Sequence, residues 1–309
     1  MITMKRIYDL IVIGGGPGGY TAALYGARAG LQVLVIEKLS AGGQMALTSQ
    51  VDNYPGFPEG VDGFELAEKM QQQAERFGAV TELANVTKLH LEGDIKEVQT
   101  SSGPFYSKAV VIATGANPRE LGVPKEKELI GKGVNYCAAC DGMFYRGKTV
   151  VVVGGGNTAA ADALLLSRLA KKVILVHRRD TLRATRIYHK PLEEAENIAF
   201  QWNSTVEELL YADKLTGVKL RNLETGEQTL IEADGIFISI GRKPATELVA
   251  GQLDLDEAGY IVAGEDTKTS LPGVFAVGDV RTKQLRQIVT AVADGAIAAH
   301  NAEQLIAEQ

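Results

Sequence analysis

The chain has 309 residues, of which 45% are hydrophobic and 23% are charged, and its formal net charge is −6. This length favours two domains of ordinary size, and the acidic balance argues against a nucleic-acid partner, which prefers a basic surface. No run approaches the ~20 apolar residues that a membrane-spanning helix requires. Two cysteines do not make a secreted disulfide scaffold, so we expect a cytoplasmic protein without a membrane partner.

The N-terminal stretch predicts a strand, a glycine turn, a helix and a second strand. An apolar run leads into GGGPGG at 14–19, and a second apolar run ends at Glu37. This order is typical of a dinucleotide-binding βαβ unit. Gly14 makes the tight turn, Gly16 lets the backbone approach a pyrophosphate, and Gly19 lets helix and strand pack closely. The carboxylate of Glu37 would accept hydrogen bonds from ribose hydroxyls and disfavour a 2′-phosphate.

The only two cysteines of the chain, Cys137 and Cys140, lie in CAACDG at 137–142. Zinc would need two further ligands, and the four histidines show no paired spacing, so we expect no metal. A disulfide that closes so small a loop adds little stability through chain entropy. A pair that cycles between dithiol and disulfide remains. Asp141 is then an acid that returns a proton to a leaving thiolate, or a simple helix-cap or turn carboxylate.

The βαβ pattern recurs at TVVVVGGG, residues 149–156, where Gly154 and Gly156 take the places of Gly14 and Gly16. A basic cluster stands in place of Glu37 and consists of His177, Arg178, Arg179 and Arg183. Arginine offers paired donors that suit a 2′-phosphate. We therefore expect NADP(H) at the second turn and a ribose without the extra phosphate at the first. The alternative for the basic cluster is a solvated strand end.

Three further strands are predicted, within 105–115, 234–244 and 271–280, and a helix follows at 285–308. LPGVFAVGD ends at Asp279, whose carboxylate would meet the ribityl chain of a flavin, or else is a plain turn residue. We therefore expect FAD rather than a second nicotinamide at the first turn.

These elements predict an α/β protein of two Rossmann-like domains, with the second inserted into the first. We expect the FAD-binding domain to comprise 1–118 and 246–309. The NADPH-binding domain, which carries the CxxC pair, would comprise 119–245.

The motif set resembles the low-molecular-weight bacterial type of thioredoxin reductase over essentially the whole chain. Besides the two glycine turns, the dithiol, HRRDTLR and PGVFAVGD, it includes GGQ at 42–44, VDNYPG at 51–56, ATG at 113–115 and RQ at 286–287. The dithiol just before the second glycine turn separates this family from glutathione-reductase-like enzymes, whose dithiol lies in the flavin domain. The resemblance implies a homodimer of FAD domains, each with an inserted NADPH domain.

The resemblance also implies roles for individual residues. FAD would be bound by Gly14, Gly16, Pro17, Gly19, Glu37, Gln44, Asn53, Thr114, Gly115, Asp279, Arg286 and Gln287. NADPH would be bound by Gly156, Asn157, Thr158, His177, Arg178, Arg179 and Arg183. Cys140 would lie nearest the flavin, Cys137 would attack the disulfide of the partner protein, and Asp141 would handle the proton. Ala139 and Ala245 depart from the residues common in the family.

The resulting hypothesis is a thioredoxin reductase that passes electrons from NADPH through FAD and the Cys137–Cys140 disulfide to thioredoxin or a thioredoxin-like protein. One alternative is a ferredoxin-linked reductase or FAD-dependent dithiol oxidase that does not use NADPH. The intact GGGNTA at 154–159 and HRRDTLR at 177–183 argue against this alternative. A flavin-bound redox sensor ranks last, because no output domain is present. NADH as a secondary donor stays open. Tyr136, Phe144 and Tyr145 either contact the partner or pack into the local core.

Overall fold

The computed structural model describes residues 6–48 and 50–308. The chain divides into two compact units. The first unit extends to Asn117 and resumes at Lys243, and the second unit is Pro118–Arg242. Within the described ranges, no helix combines the length and the apolar character needed to cross a membrane.

The secondary structure follows in chain order. The first part of the first unit and the strand that leaves it comprise β1 (Ile7–Ile13), α1 (Pro17–Arg28), β2 (Val33–Glu37), α2 (Gly63–Arg76), β3 (Val80–Leu83), β4 (Val86–His90), β5 (Lys96–Thr100), β6 (Gly103–Ile112) and β7 (Ala116–Pro118). The second unit comprises β8 (Val134–Asn135), α3 (Ala138–Asp141), β9 (Thr149–Val153), α4 (Asn157–Ser167), β10 (Lys172–Val176), α5 (His189–Glu194), β11 (Ile198–Gln201), β12 (Ser204–Tyr211), β13 (Leu215–Asn222), β14 (Gln228–Glu232) and β15 (Gly235–Ile238). The returning strand β16 (Arg242–Pro244), β17 (Val274–Ala276) and α6 (Ile288–Ala307) complete the chain.

The first unit is built on a seven-stranded sheet in the order β3-β2-β1-β6-β5-β4, with β17 also paired to β6. Strands β3, β2, β1, β6 and β17 run parallel to one another, whereas β5 pairs antiparallel with both β6 and β4. The inner strands β1 and β2 are runs of Val, Ile and Leu with almost every side chain buried, as expected for parallel strands covered on both faces.

Helices α1 and α6 pack against each other at a pair of glycines in the first unit. Gly295 in α6 lies so close to α1 that a Cβ there would collide with the carbonyl oxygen of Gly18. A Cβ at Gly18 would in turn press on the carbonyl oxygen of Ala291 at 3.0 Å. This contact sets the N-terminus of α1 beside the first turns of α6.

The second unit contains a five-stranded parallel sheet in the order β11-β10-β9-β15-β8 and a three-stranded antiparallel sheet, β12-β13-β14. Strand β9 reads TVVVV and is buried from its second residue onward. The structure thus confirms the predicted α/β fold with two Rossmann-like units, each with parallel strands and a helix directly after its glycine turn.

The chain crosses between the units at two short strands, β7 and β16, which pair with each other as a two-stranded sheet. On one side of the pairing, the Arg119 N–H donates to the carbonyl of Gly241 at 3.0 Å. On the other side, the Ala245 N–H donates to the carbonyl of Gly115 at 3.0 Å. Departure from the first unit and return to it therefore occur side by side.

Gly295→Ala should destabilise the protein by about 1–3 kcal/mol, because the added methyl group has no room against α1. Helix propensity alone predicts the opposite sign, since Ala is better than Gly by about 1 kcal/mol in a helix interior. The free energy of unfolding from urea titration of the holoprotein measures the effect. Exposed Ala293→Ser in the same helix is the control and should stay within about 0.5 kcal/mol. A more stable G295A protein would contradict the close helix contact.

Candidate nucleotide and dithiol sites

The first glycine turn is tied to the end of β2 by a side chain. The Gly15 N–H donates to Glu37 Oε2 at 2.7 Å, and Glu37 Oε1 accepts from the Lys38 N–H at 2.7 Å. Gly14 has φ +105°, and a Cβ there would collide with the carbonyl of Ala113. Glu37 Oε1 also accepts from the Leu39 N–H at 3.1 Å, so Oε2 is the oxygen that retains a further lone pair. Glu37 therefore both braces the turn and keeps acceptor capacity for a ribose hydroxyl.

Both glycine turns open onto helix N-termini that no side chain caps. Gly16 precedes the 12-residue helix α1, which begins at Pro17, and Gly156 precedes the 11-residue helix α4. A Cβ at Gly16 or Gly156 would meet nothing within 4 Å. Free N–H groups at a helix start, with open space before them, suit a pyrophosphate. The geometry of both turns fits a dinucleotide.

Predicted FAD residues far apart in sequence meet in the first unit. The Asn53 side-chain amide donates to Gln287 Oε1 at 2.9 Å, and Gln287 caps the N-terminus of α6. The Gln44 amide donates to Asn117 Oδ1 at 3.2 Å. These polar groups, like the start of α6, could hold a flavin.

Other predicted FAD residues have contacts within the protein. The Thr114 hydroxyl donates to the carbonyl of Ala245 at 2.7 Å, and thus holds the returning chain beside Gly115. The Arg286 guanidinium lies over the Tyr260 ring at 4.0 Å. Its Nε is buried, and no group in residues 6–48 or 50–308 forms a hydrogen bond with it. Asp279 follows β17 in a short 3₁₀ turn, half-buried.

The residue that anchors the Asp279 loop was not predicted from the sequence. Asp294 in α6 is only 4% exposed, and its carboxylate accepts from Arg281 at 2.7 and 3.0 Å, from Lys283 at 2.7 Å and from the Gly278 N–H at 2.8 Å. Burial alone would raise the pKa of Asp294, but these hydrogen bonds outweigh it and lower the pKa. The signal in the sequence was an acidic residue within IVTAVADGAIAA, the apolar, Ala-rich first part of α6.

His177 holds the place in the second unit that Glu37 holds in the first. Its ring is 4% exposed and packs directly under Gly155, where a Cβ would collide with it. Its Nε2 is buried and has no hydrogen-bond partner among the described residues. Burial, and then the charges of Arg183, Arg178 and Arg179, lower the pKa of His177, so the ring is neutral at pH 7. The exposed cationic cluster therefore consists of the three arginines.

The arginines are held by the loop after β10, which returns to the glycine turn. The N–H groups of Arg183 and Ala184 donate to the carbonyl of Gly155 at 2.7 and 3.0 Å. Asn157 Oδ1 accepts from the Thr185 N–H at 2.8 Å, while Thr158 is exposed. The second turn, the start of α4 and the basic loop thus form one connected surface.

The dithiol lies at the same edge of the second unit's sheet as the glycine turn. All five strands of this sheet are parallel, so their carboxyl ends share one edge. Beyond β8 comes the cysteine segment, and beyond β9 comes Gly154. Beyond β10, β11 and β15 come His177, Trp202 and Ser239.

Cys137 and Cys140 form a disulfide with a Cα–Cα distance of 5.3 Å, which confirms the predicted redox pair as a bonded pair. Cys137 is the N-cap of the short helix α3, and its Sγ accepts the Cys140 N–H at 3.2 Å. A backbone N–H aimed at a sulfur favours its thiolate form. Cys137 Sγ thus receives a backbone N–H from its own segment.

Asp141 follows Cys140 directly and is largely buried. Burial raises the pKa of Asp141 to about 6, because few polar groups compensate for the lost solvation of the carboxylate. A carboxyl group with such a pKa exchanges a proton near neutral pH, as a general acid requires.

The three aromatic residues near the dithiol have different environments. Tyr145 is buried, packs edge-on to Phe237 with ring centroids 5.2 Å apart, and accepts a hydrogen bond from Asn135. Tyr136 is half-buried and donates to Glu126 Oε1 at 2.6 Å. Phe144 is 42% exposed. Of the three, Phe144 alone presents an open apolar surface.

Comparison with known proteins gives full-length matches. Residues 8–295 match the family described as pyridine nucleotide-disulphide oxidoreductase. A thioredoxin reductase of Streptomyces clavuligerus is 48% identical, covering 98% of this chain and 95% of that protein. One of Mycolicibacterium smegmatis is 45% identical and covers 100% of both. The crystal structure of thioredoxin reductase from Streptococcus pyogenes MGAS5005 has a TM-score of 0.91 at 43% identity, covering 98% of this chain and 99% of that one.

Asp141→Asn should stabilise the protein at pH 8 by up to about 3 kcal/mol, the equivalent of a pKa shift of about two units. The raised pKa means that the wild-type folded state loses stability as pH rises from about 4 to above 6, whereas Asn does not titrate. Denaturation of the holoprotein at several pH values measures this. The gain should nearly vanish at pH 4, and the exposed turn variant Asp213→Asn should show no such trend. An equal gain at both pH values would exclude burial of the charge as its cause.

Asp294→Asn should destabilise the protein by about 3–5 kcal/mol at pH 7, because Arg281 and Lys283 would be left without a counter-charge. The pKa of Asp294 is lowered in the folded state, so the wild type loses this contribution as pH falls. The deficit of the variant should therefore shrink in acid. Glu65→Gln, which breaks the exposed Lys69–Glu65 pair, is the control and should cost less than about 1 kcal/mol. A D294N protein as stable as the control would contradict a buried, charged cluster.

Proposed function

The chain belongs to the pyridine nucleotide-disulphide oxidoreductase family, and we propose that it is a thioredoxin reductase that uses NADPH. The observation that carries the proposal is the Cys137–Cys140 disulfide at the same sheet edge as the glycine turn with the arginine loop. Full-length relatives named thioredoxin reductase support the same reaction. The ferredoxin-linked or oxidase alternative has no observation in its favour.

FAD is proposed for the first glycine turn. The uncapped start of α1, the open space at Gly16 and the braced carboxylate of Glu37 fit an adenosine diphosphate moiety. The Asn53–Gln287 pair and Asp279 are proposed to hold the flavin half. When bound, FAD supplies two-electron chemistry that links a reduced pyridine nucleotide to a disulfide.

NADPH is proposed for the second turn, with its pyrophosphate at the start of α4. Arg178, Arg179 and Arg183 are exposed on the loop tied to Gly155 and would hold the 2′-phosphate. His177 supports the turn from beneath as a neutral ring. NADH lacks the charge that the arginines would bind, so it should be the weaker donor.

Cys137 is the proposed nucleophile toward the partner. Once the Cys137–Cys140 disulfide is reduced, the Cys137 thiolate attacks one sulfur of the thioredoxin disulfide, and the other partner sulfur leaves as a thiolate. Asp141, with a pKa of about 6, is proposed to give that sulfur its proton. The Cys140 thiolate then attacks Cys137 Sγ in the mixed disulfide. The partner leaves in its reduced form, and the intramolecular disulfide is restored.

Exposed Phe144, two residues after the dithiol helix, is a proposed contact for the partner. We also propose a homodimer, by analogy with the family, and a cytoplasmic location, where a thiol system driven by NADPH would operate.

An anaerobic titration of the flavin with NADPH, and separately with NADH, tests the proposal. We expect prompt loss of flavin absorbance with NADPH and a much slower loss with NADH. In the presence of oxidised thioredoxin, NADPH should be consumed continuously. Cys137→Ser and Cys140→Ser should both abolish thioredoxin reduction, while NADPH still bleaches the flavin.

Failure of both nucleotides to bleach the flavin would contradict the proposal. If dithionite bleached the flavin and neither nucleotide did so, the second turn would not serve NADPH, and a ferredoxin-linked or oxidase function would replace the proposal.

A further inference from the structure

Trp202 is the only tryptophan of the chain and lies directly after β11. In the sheet order, β11 is the outer neighbour of β10, which ends at the basic loop. The Trp202 ring therefore stands at the carboxyl edge of the sheet, beside the arginines and away from the dithiol strand β8.

Two aromatic contacts fix the ring. Phe200 stacks on it with centroids 4.7 Å apart and planes 8° apart, and the buried His177 ring meets it edge-on at 6.4 Å. Its backbone is also tied down, because the Ser204 hydroxyl donates to the Trp202 carbonyl at 2.7 Å. The adjacent Asn203 N–H donates to the carbonyl of Arg179 at 3.1 Å. The ring and the arginine loop thus form one rigid neighbourhood.

Core packing does not account for this position. Phe200 joins the buried apolar cluster around α4, whereas Trp202 stays partly exposed beyond the end of the strand. An indole held rigidly with part of its surface open is the arrangement that stacks on a base.

The geometry of a βαβ dinucleotide unit indicates which base of the nucleotide would contact Trp202. The pyrophosphate lies at the glycine turn and the adenosine ribose at the end of the second strand, which here is β10. A nucleotide that runs from the turn after β9 to the end of β10 would, if continued along that line, bring its adenine to the end of β11. The residue directly after β11 is Trp202.

We propose that Trp202 packs against the adenine of the pyridine nucleotide, with Phe200 backing it, while the arginines hold the ribose phosphate. The inference rests on the proposed binding of a pyridine nucleotide at the second turn. It adds a contact that does not distinguish NADPH from NADH, since both carry adenine.

The test compares Trp202→Ala and Trp202→Phe with Arg178→Met in the holoprotein. For NADPH and for NADH, the measured quantity is the nucleotide concentration that gives half the maximal rate of flavin bleaching. The affinity for adenosine 2′,5′-bisphosphate is measured by calorimetry. We expect W202A to weaken all three ligands by a similar factor, roughly 5- to 150-fold. W202F should retain most of the affinity. R178M should weaken NADPH and the bisphosphate but leave NADH nearly unchanged.

Tryptophan emission gives a second readout that needs no variant. Because Trp202 is the sole tryptophan, saturating adenosine 2′,5′-bisphosphate should change the emission of the wild-type protein. This readout decides the matter if W202A fails to fold.

Three results would overturn the proposal. A folded W202A protein with unchanged affinities, or a wild-type emission that ignores bound bisphosphate, removes Trp202 from the base site and leaves the proposed reductase intact. Selective weakening of NADPH alone would mean that Trp202 acts through Arg179 and not on the base. If the wild type bound neither the bisphosphate nor NADPH, the proposed function would fall with it.

Discussion

Contact between backbone and backbone at a glycine turn is the constraint on which both units depend. At Gly14 a side chain would collide with the carbonyl that ends β6, and at Gly154 it would collide with the carbonyl of Ser239, just after β15. Both turns therefore lie in close backbone contact with the neighbouring strand end. This contact places the N-terminus of the following helix at the carboxyl edge of the sheet. The groups proposed to bind the two pyrophosphates are placed by that one approach, because the turn, the helix start and the strand ends all meet there.

The two units differ in what lies beneath the turn. In the first unit a carboxylate accepts the Gly15 N–H, and in the second unit the neutral ring of His177 fills the space under Gly155. A carboxylate in the second position would repel the 2′-phosphate that the arginines are proposed to bind. An imidazole supports the turn without that repulsion. The residue beneath each turn is therefore linked to the nucleotide that is proposed to bind there.

Local patterns carried most of the predicted fold. Continuous Val, Ile and Leu runs, glycine turns and the small residues of α6 depend on neighbours in sequence, and the elements appear where these patterns indicated. The predicted pairing of Cys137 with Cys140 is confirmed for the same reason, since only one pairing was available. The roles of the individual cofactor residues stay predictions.

The contacts that sequence reasoning missed depend on partners chosen by the fold. Asp294 meets Arg281 and Lys283 only because α6 packs over the loop after β17, and Tyr136 finds Glu126 across a turn. The position of the Trp202 indole beside the arginine loop follows only from the sheet order, which places β11 outside β10. No spacing rule connects such residues, because their proximity is a product of tertiary packing.

The paired strands β7 and β16 have a consequence for how such a chain could arise. Since the chain leaves and re-enters the first unit at adjacent points, the whole second unit is one uninterrupted segment whose two ends lie together. A gene for a compact domain with neighbouring termini could be spliced into a surface hairpin of another domain without stretching either.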